Sequence, residues 1–192
     1  MNQDEYFSVH AGLTINVEPL SHGESVPDML AFQQEIPPLF RIASECSSLD
    51  EGLEHSLSQL KKDEFQALSN YLTAQNNKIN LLLSFVLAQQ DDAKLRFITH
   101  TFGASQLSYF SPQALAEGSS VRLKLFLDNP AAAVYAYAEV TQCQPQPDSS
   151  YETALKYVCL MEDDRDLLIR AALHFQQKIL RQRAQQRSDN KS

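Results

Sequence analysis

Gly103-Ala104-Ser105 opens like the sharp turn that presents a nucleophilic serine, but Leu107 stands where the second glycine of that turn belongs. Five histidines, His10, His22, His55, His100 and His174, show neither H-x-x-x-H nor H-E-x-x-H spacing, so no helix face offers two imidazoles to one metal ion. His100 sits in an alternating stretch and reads as packed or solvent-facing. Asp163-Asp164 are a carboxylate pair of the kind used in acid–base work. With Glu162 they also place acid where a helix begins, and capping accounts for them better. Arg183-Ala184-Gln185-Gln186-Arg187 sets two guanidiniums one helical turn apart, a spacing that can grip an anion. The same two residues near a helix C-terminus also favour its dipole. No C-x-x-C and no glycine-rich phosphate loop is present. The residues therefore give no catalytic group, no metal ligands and no required cofactor.

Charge narrows the partners. The 192 residues carry 16 Lys+Arg against 24 Asp+Glu, a net of −8. Residues 1–164 hold 9 basic and 22 acidic side chains, whereas residues 165–192 hold 7 basic and 2 acidic. An acidic body repels polyanions, which excludes general nucleic-acid binding by the main part of the chain. The odd count of Cys46, Cys143 and Cys159, without paired spacing, points to a reduced, cytoplasmic setting. The first residues are acidic where a signal peptide is basic. The most apolar run, Ile79 to Ala88, is about half the length that spans a bilayer, so membrane insertion is not expected.

These groups must be positioned by two kinds of element. Residues 6–17 alternate loosely and read as a strand or strand pair; residues 18–38 hold four of the eight prolines beyond Pro19 or at it and read mostly as loop, with one short helical turn. Between Gly52 and Gly103 there is no Gly or Pro. Ser48-Leu49-Asp50-Glu51 has the form of a capping box, and Leu49, Leu53, Leu57 and Leu60 form one stripe. A second helix starts near Asp63 and runs to about Gln90. Beyond it, Leu95–Phe102, Leu107–Phe110, Val121–Leu127, Val134–Thr141 and Tyr151–Met161 read as short strands separated by turn signals, the pattern of an antiparallel barrel or sandwich. A helix after Glu162, with Leu168, Ala172, Phe175 and Ile179 as its apolar stripe, ends the chain.

The second helix carries a further pattern. Phe65, Leu68, Leu72, Gln75, Ile79, Leu82 and Val86 step by alternating threes and fours, the seam of a coiled coil with Gln75 as a polar interruption. Tyr71, Lys78 and Phe85 lie on another face. A helix with apolar groups on both faces serves its own domain and a partner helix, so the chain is expected to be a homo-oligomer.

The strand–turn–strand segment FGASQLSYFSPQALAEGSSVRLKLFL, followed by MEDDRDLLIRAALHFQQKILR, resembles the PilZ family. The resemblance implies an α+β fold: a PilZ-like antiparallel β-barrel with a C-terminal helix. Long inserted α-helices, residues 48–91, would interrupt a single domain over 1–192. The insertion is similar to that of an atypical branch of the family in which such helices form a coiled coil and a tetramer. Usual members bind cyclic di-GMP with an R-x-x-x-R loop before the first strand and a D/N-x-S-x-x-G turn. Here Gly103, Ser105 and Ser108 stand at the three motif positions of the turn, where the serine alone matches, and Met1–Phe7 contains no arginine. What the resemblance implies is a non-catalytic adaptor of bacterial cyclic di-GMP signalling with degenerate nucleotide motifs. Its contacts would be protein partners in signalling, motility, biofilm formation or pilus function. The alternative is a genuine cyclic di-GMP receptor with a rearranged site, for which Arg96, Arg183 and Arg187 are the basic candidates.

Overall fold

The computed structural model describes residues 8–46, 66–128 and 131–189. Phe65, the capping box at 48–51 and the leucine stripe at 49–60 lie outside them. The elements are β1 (Ser8–Val9), β2 (Thr14–Pro19) and α1 (Met29–Glu35), then a helix over 38–46, α2. They continue with α3 (Gln66–Ala88), β3 (Arg96–Gly103), β4 (Gln106–Ser111), β5 (Ser120–Asp128), β6 (Ala131–Pro145), β7 (Tyr151–Cys159) and α4 (Glu162–Asp189).

All pairings are antiparallel, in the order β1-β3-β2-β5-β6-β7-β4, and β3 also pairs with β4. That last pairing closes six strands into a barrel, with β1 continuing the β2 side of β3. Closure leaves no edge open to a foreign strand. β2 and β3 flank the inserted helix in sequence yet lie side by side, with Asn16 opposite Arg96.

Alternation decides which side chains fill the barrel. Val121, Leu123, Leu125 and Leu127 of β5 point inward, as do Ile15 and Val17 of β2, and all are buried. They share one cluster with Leu167, Leu168, Ala171 and Ala172, so the first half of α4 packs its apolar stripe onto the barrel interior. Phe175 meets Phe102 edge-on at 5.7 Å. The second core lies outside the wall. Phe32 and Ile36 with α1, and Phe40 and Ala43 of α2, pack on Ala133, Tyr135 and Tyr137, the outward residues of β6, together with Leu87. β6 is thus covered on both faces from Ala131 to Ala138.

The expected PilZ-like α+β barrel with a C-terminal helix is what forms. Several boundaries differ. Residues 18–38, expected as mostly loop with one short helical turn, hold all of α1 and the start of α2: Asp28 caps α1, its carboxylate accepting from Ala31 N at 2.9 Å, and Pro38 occupies the first helical position of α2, where its missing N–H is no loss. β6 begins at Ala131, because a strand buried on both faces has no polar alternation to mark it. The insertion's helix ends at Ala88, with a turn at Gln89-Gln90, and not at Gln90.

Candidate functional site

The turn that joins β3 to β4 carries Gly103 and Ser105, and Ser108 follows in β4. Ser105 and Ser108 are engaged by the chain itself, and Gly103 lies opposite Ser8 of β1. The Ser105 carbonyl accepts from Tyr157 N at 3.0 Å. The neighbouring Ala104 carbonyl accepts from the Arg165 guanidinium at 2.7 Å. Ser108 is buried, its hydroxyl 2.9 Å from the Thr101 hydroxyl and 3.4 Å from the Glu152 carboxylate. The turn is held by β7 from one side and by the first turn of α4 from the other.

The wall beside Ser108 is polar and aromatic. Glu152 Oε1 lies 2.9 Å from His100 Nδ1. The His100 ring stands 5.0 Å from that of His10 and 4.9 Å from that of Phe110. No sequence spacing foretold this group, because its members come from β3, β4, β7 and the residue after β1. Pairing alone brings them together. Among the described residues no group of three or more His, Cys, Asp or Glu side chains is placed to hold a metal ion.

The basic candidates are dispersed. Arg96 starts β3 and Gly103 ends it, about 23 Å apart at the rise of an extended strand. Arg96 is bound to Asp91, Nε to Oδ2, at 2.7 Å. Arg183 lies 18 residues beyond Arg165 along α4, about 27 Å up the helix. It is exposed, and Arg187 lies in the last turn of the same helix. Within one copy, neither Arg96 nor Arg183 meets the turn. The cation that does is Arg165, which the sequence reading missed. Its one legible signal was the i, i+3 spacing from Glu162, to which it also pairs at 3.3 Å. Below the turn, the Tyr157 hydroxyl is buried without a hydrogen-bond partner among the described residues. Burial pushes its pKa up, and the Arg165 charge opposes that.

The seam on α3 has a different environment. Leu68, Ile79, Leu82 and Val86 are exposed, and Leu72 and Gln75 are half-buried. Tyr71 is exposed too, and Leu81, Leu82 and Phe85 are 72%, 66% and 69% exposed. The side turned to the barrel carries Asn80, Leu83, Ser84 and the buried Leu87. The helix therefore shows water a more apolar face than it shows the barrel, the reverse of a surface helix that serves only its own core. Lys78 is the lone charge in its 23 residues. None of the described helices is long and apolar enough to cross a membrane.

A cleft of about 260 Å³ lies between α1, α2 and the start of α4, with Ile36, Phe40, Arg41, Met161, Asp163 and Asp164 among its walls. Asp164 is 6% exposed, and burial, with Asp163 adding, pushes its pKa up to about 6 against a hydrogen bond from Ser44.

No protein-family model matches the chain, and no curated protein does. Solved structures do. The inhibitor of motility MotI/DgrA of Bacillus subtilis is 11% identical with a TM-score of 0.49, the alignment covering 93% of this chain and 53% of that one, so this chain spans about half its length. A tetrameric PilZ domain of Xanthomonas campestris, self-assembled via a helical bundle, is 16% identical with a TM-score of 0.53, covering 92% of this chain and 91% of that one. With the closed barrel and the closing helix, that second likeness shows the fold: the chain carries a PilZ-like domain.

Proposed function

We propose that this protein is a non-catalytic adaptor of the PilZ family in cyclic di-GMP signalling, which self-associates through α3 and presents its barrels to protein partners in the cytoplasm. The observation that carries the reading is the outward face of α3. Leu68, Tyr71, Ile79, Leu81, Leu82, Phe85 and Val86 leave a contiguous apolar stripe in water, and a stripe of that size on a soluble protein marks an interface. Its steps of three and four suit a partner helix, and the Xanthomonas structure with the same fold self-assembles via a helical bundle. A tetramer is the assembly we favour. The motif-equivalent turn supports the adaptor role over the receptor role, because Arg165, Tyr157 and Thr101 occupy its polar groups.

Two measurements test the reading. Light scattering at tens of micromolar should give a multiple of 21.6 kDa. Combining Leu72→Glu, Ile79→Glu and Leu82→Glu should return it to one copy with the barrel's circular dichroism unchanged. A monomeric wild type sinks the self-association. Calorimetry with cyclic di-GMP should show no heat; saturable binding that disappears with Arg183→Ala and Arg187→Ala establishes the receptor instead.

A further inference from the structure

Three neighbouring strands present three outward side chains in a row: Lys124 on β5, Asn16 on β2 and Arg96 on β3, with Asn16 opposite both others in register. Each takes hold of the short segment that follows α3. Lys124 Nζ donates to the Gln90 carbonyl at 3.4 Å. Arg96 Nε donates to Asp91 Oδ2 at 2.7 Å. Asn16 does most. Its amide nitrogen donates to Asp91 Oδ1 at 2.8 Å and to the Asp92 carbonyl at 3.1 Å, and its amide oxygen accepts from Asp92 N at 2.8 Å. Asn16 is 3% exposed, so this amide has exchanged water for partners supplied by the 90–92 segment. A side chain that both donates to and accepts from one backbone unit fixes that unit in position and in orientation.

We propose that Asn16 is a positioning residue that sets the direction in which α3 leaves the barrel, and through it the geometry of the assembly; this rests on the reading of α3 as the assembly helix. The polar contacts that tie α3 to the barrel gather at its C-terminal end, from the Asn80 side chain accepting Ala131 N at 3.2 Å to the row at 90–92. A helix of 23 residues is about 34 Å long, so a tilt of about 10° at this elbow swings its far end by about 6 Å. The apolar stripe decides that copies meet. The amide row decides how their barrels face one another when they do. The same row commits Arg96 to the elbow, away from any ligand.

The test compares the full-length protein with Asn16→Leu, which keeps the branched four-atom skeleton and removes all three hydrogen bonds. Light scattering gives the mass, small-angle X-ray scattering the shape, thermal melting the barrel, and amide exchange the Asp92 N–H. The expected result is an unchanged mass, a shifted scattering profile with a larger maximum dimension, and exchange at Asp92 faster by tenfold or more. A lowered melting temperature with an unaltered profile overturns the proposal and leaves Asn16 a merely structural amide. A monomeric wild type defeats the assembly reading alone: the profile of the monomer, barrel plus projecting helix, still reports whether Asn16→Leu frees the elbow. Where Asn16→Leu does not fold, Arg96→Met with Lys124→Met removes the flanking members of the row on exposed or half-exposed positions, and an unaltered profile there counts equally against the proposal.

Discussion

The Arg165 guanidinium donates to the Ala104 carbonyl over 2.7 Å, joining the first turn of α4 to the turn between β3 and β4. The bond is charge-assisted and part-buried, and its acceptor is a backbone oxygen. Arg165→Met keeps much of the stem and removes the donor. It should lower unfolding free energy by about 1–2 kcal/mol, less than a fully buried charged bond because the guanidinium is a third exposed. Urea unfolding gives the number, and a loss under 0.3 kcal/mol would show that the turn holds without α4.

Tyr157 makes the opposite prediction. Its buried hydroxyl has no partner among the described residues, so deleting it removes a desolvated polar group and leaves the packed ring. Tyr157→Phe should be neutral or more stable by up to about 1 kcal/mol. A destabilisation beyond that in the same urea experiment would reveal a bond the hydroxyl makes through solvent.

Asp164 sets a pH dependence. Its carboxyl has a pKa of about 6 in the folded protein, chiefly from burial, against roughly 3.9 when unfolded. The folded state therefore holds the proton more tightly. This group's contribution to stability is fully present below about pH 4 and is lost as pH rises through 6. Two pKa units correspond to about 3 kcal/mol at most. Asp164→Asn keeps an acceptor for Ser44 without the charge. It should be more stable than wild type by about 1–2 kcal/mol at pH 7.5, the two should converge near pH 4, and the slope between should flatten. Urea midpoints across that range decide it; an Asn variant weaker at pH 7.5 would mean that the carboxylate's favourable place in the first turn of α4 outweighs its burial.

Tyr137 ties α1 to the barrel. Its hydroxyl donates to Glu35 at 2.5 Å and accepts from Arg122 Nε at 3.2 Å, and Arg122 reaches on to Glu18 at 2.8 Å. Tyr137→Phe leaves a carboxylate and a guanidinium short of a partner while the ring still packs on Phe32. The expected loss is about 1–2 kcal/mol, with amide exchange in α1 rising before that of the barrel strands. Uniform exchange across both would show that α1 and the barrel open together.

Much of this architecture was legible in the residues, and the parts that were not share a cause. β5 could be read because Arg122, Lys124 and Phe126 alternate with its buried leucines, one face being half in water. The start of β6 could not, because Ala131 to Ala138 serve two cores at once and period two vanishes. Pro37 and Pro38 read as loop, yet a proline that ends one helix can begin the next, and only the packing of Phe40 against Phe126 distinguishes the two uses. The seam on α3 was visible as spacing; its exposure was not, since periodicity shows that a face is apolar without showing what covers it. Arg96 and Ser108 looked like free ligand groups in the sequence. Their partners, Asp91 and Thr101, are set by strand register and loop geometry, which local patterns do not carry.

The position of the helical insertion also bears on time. β2 is made early, but both of its neighbours, β3 and β5, are made only after α3. Loop-closure entropy grows with the logarithm of length, about 0.6 kcal/mol for each doubling, so the insertion takes little from the finished protein's stability. Rate responds differently, because pairings this distant in sequence slow folding by orders of magnitude. During synthesis α3 is complete while β2 still waits. In that interval the pairing of α3 proposed above, between chains growing on one messenger, would precede the barrels it joins.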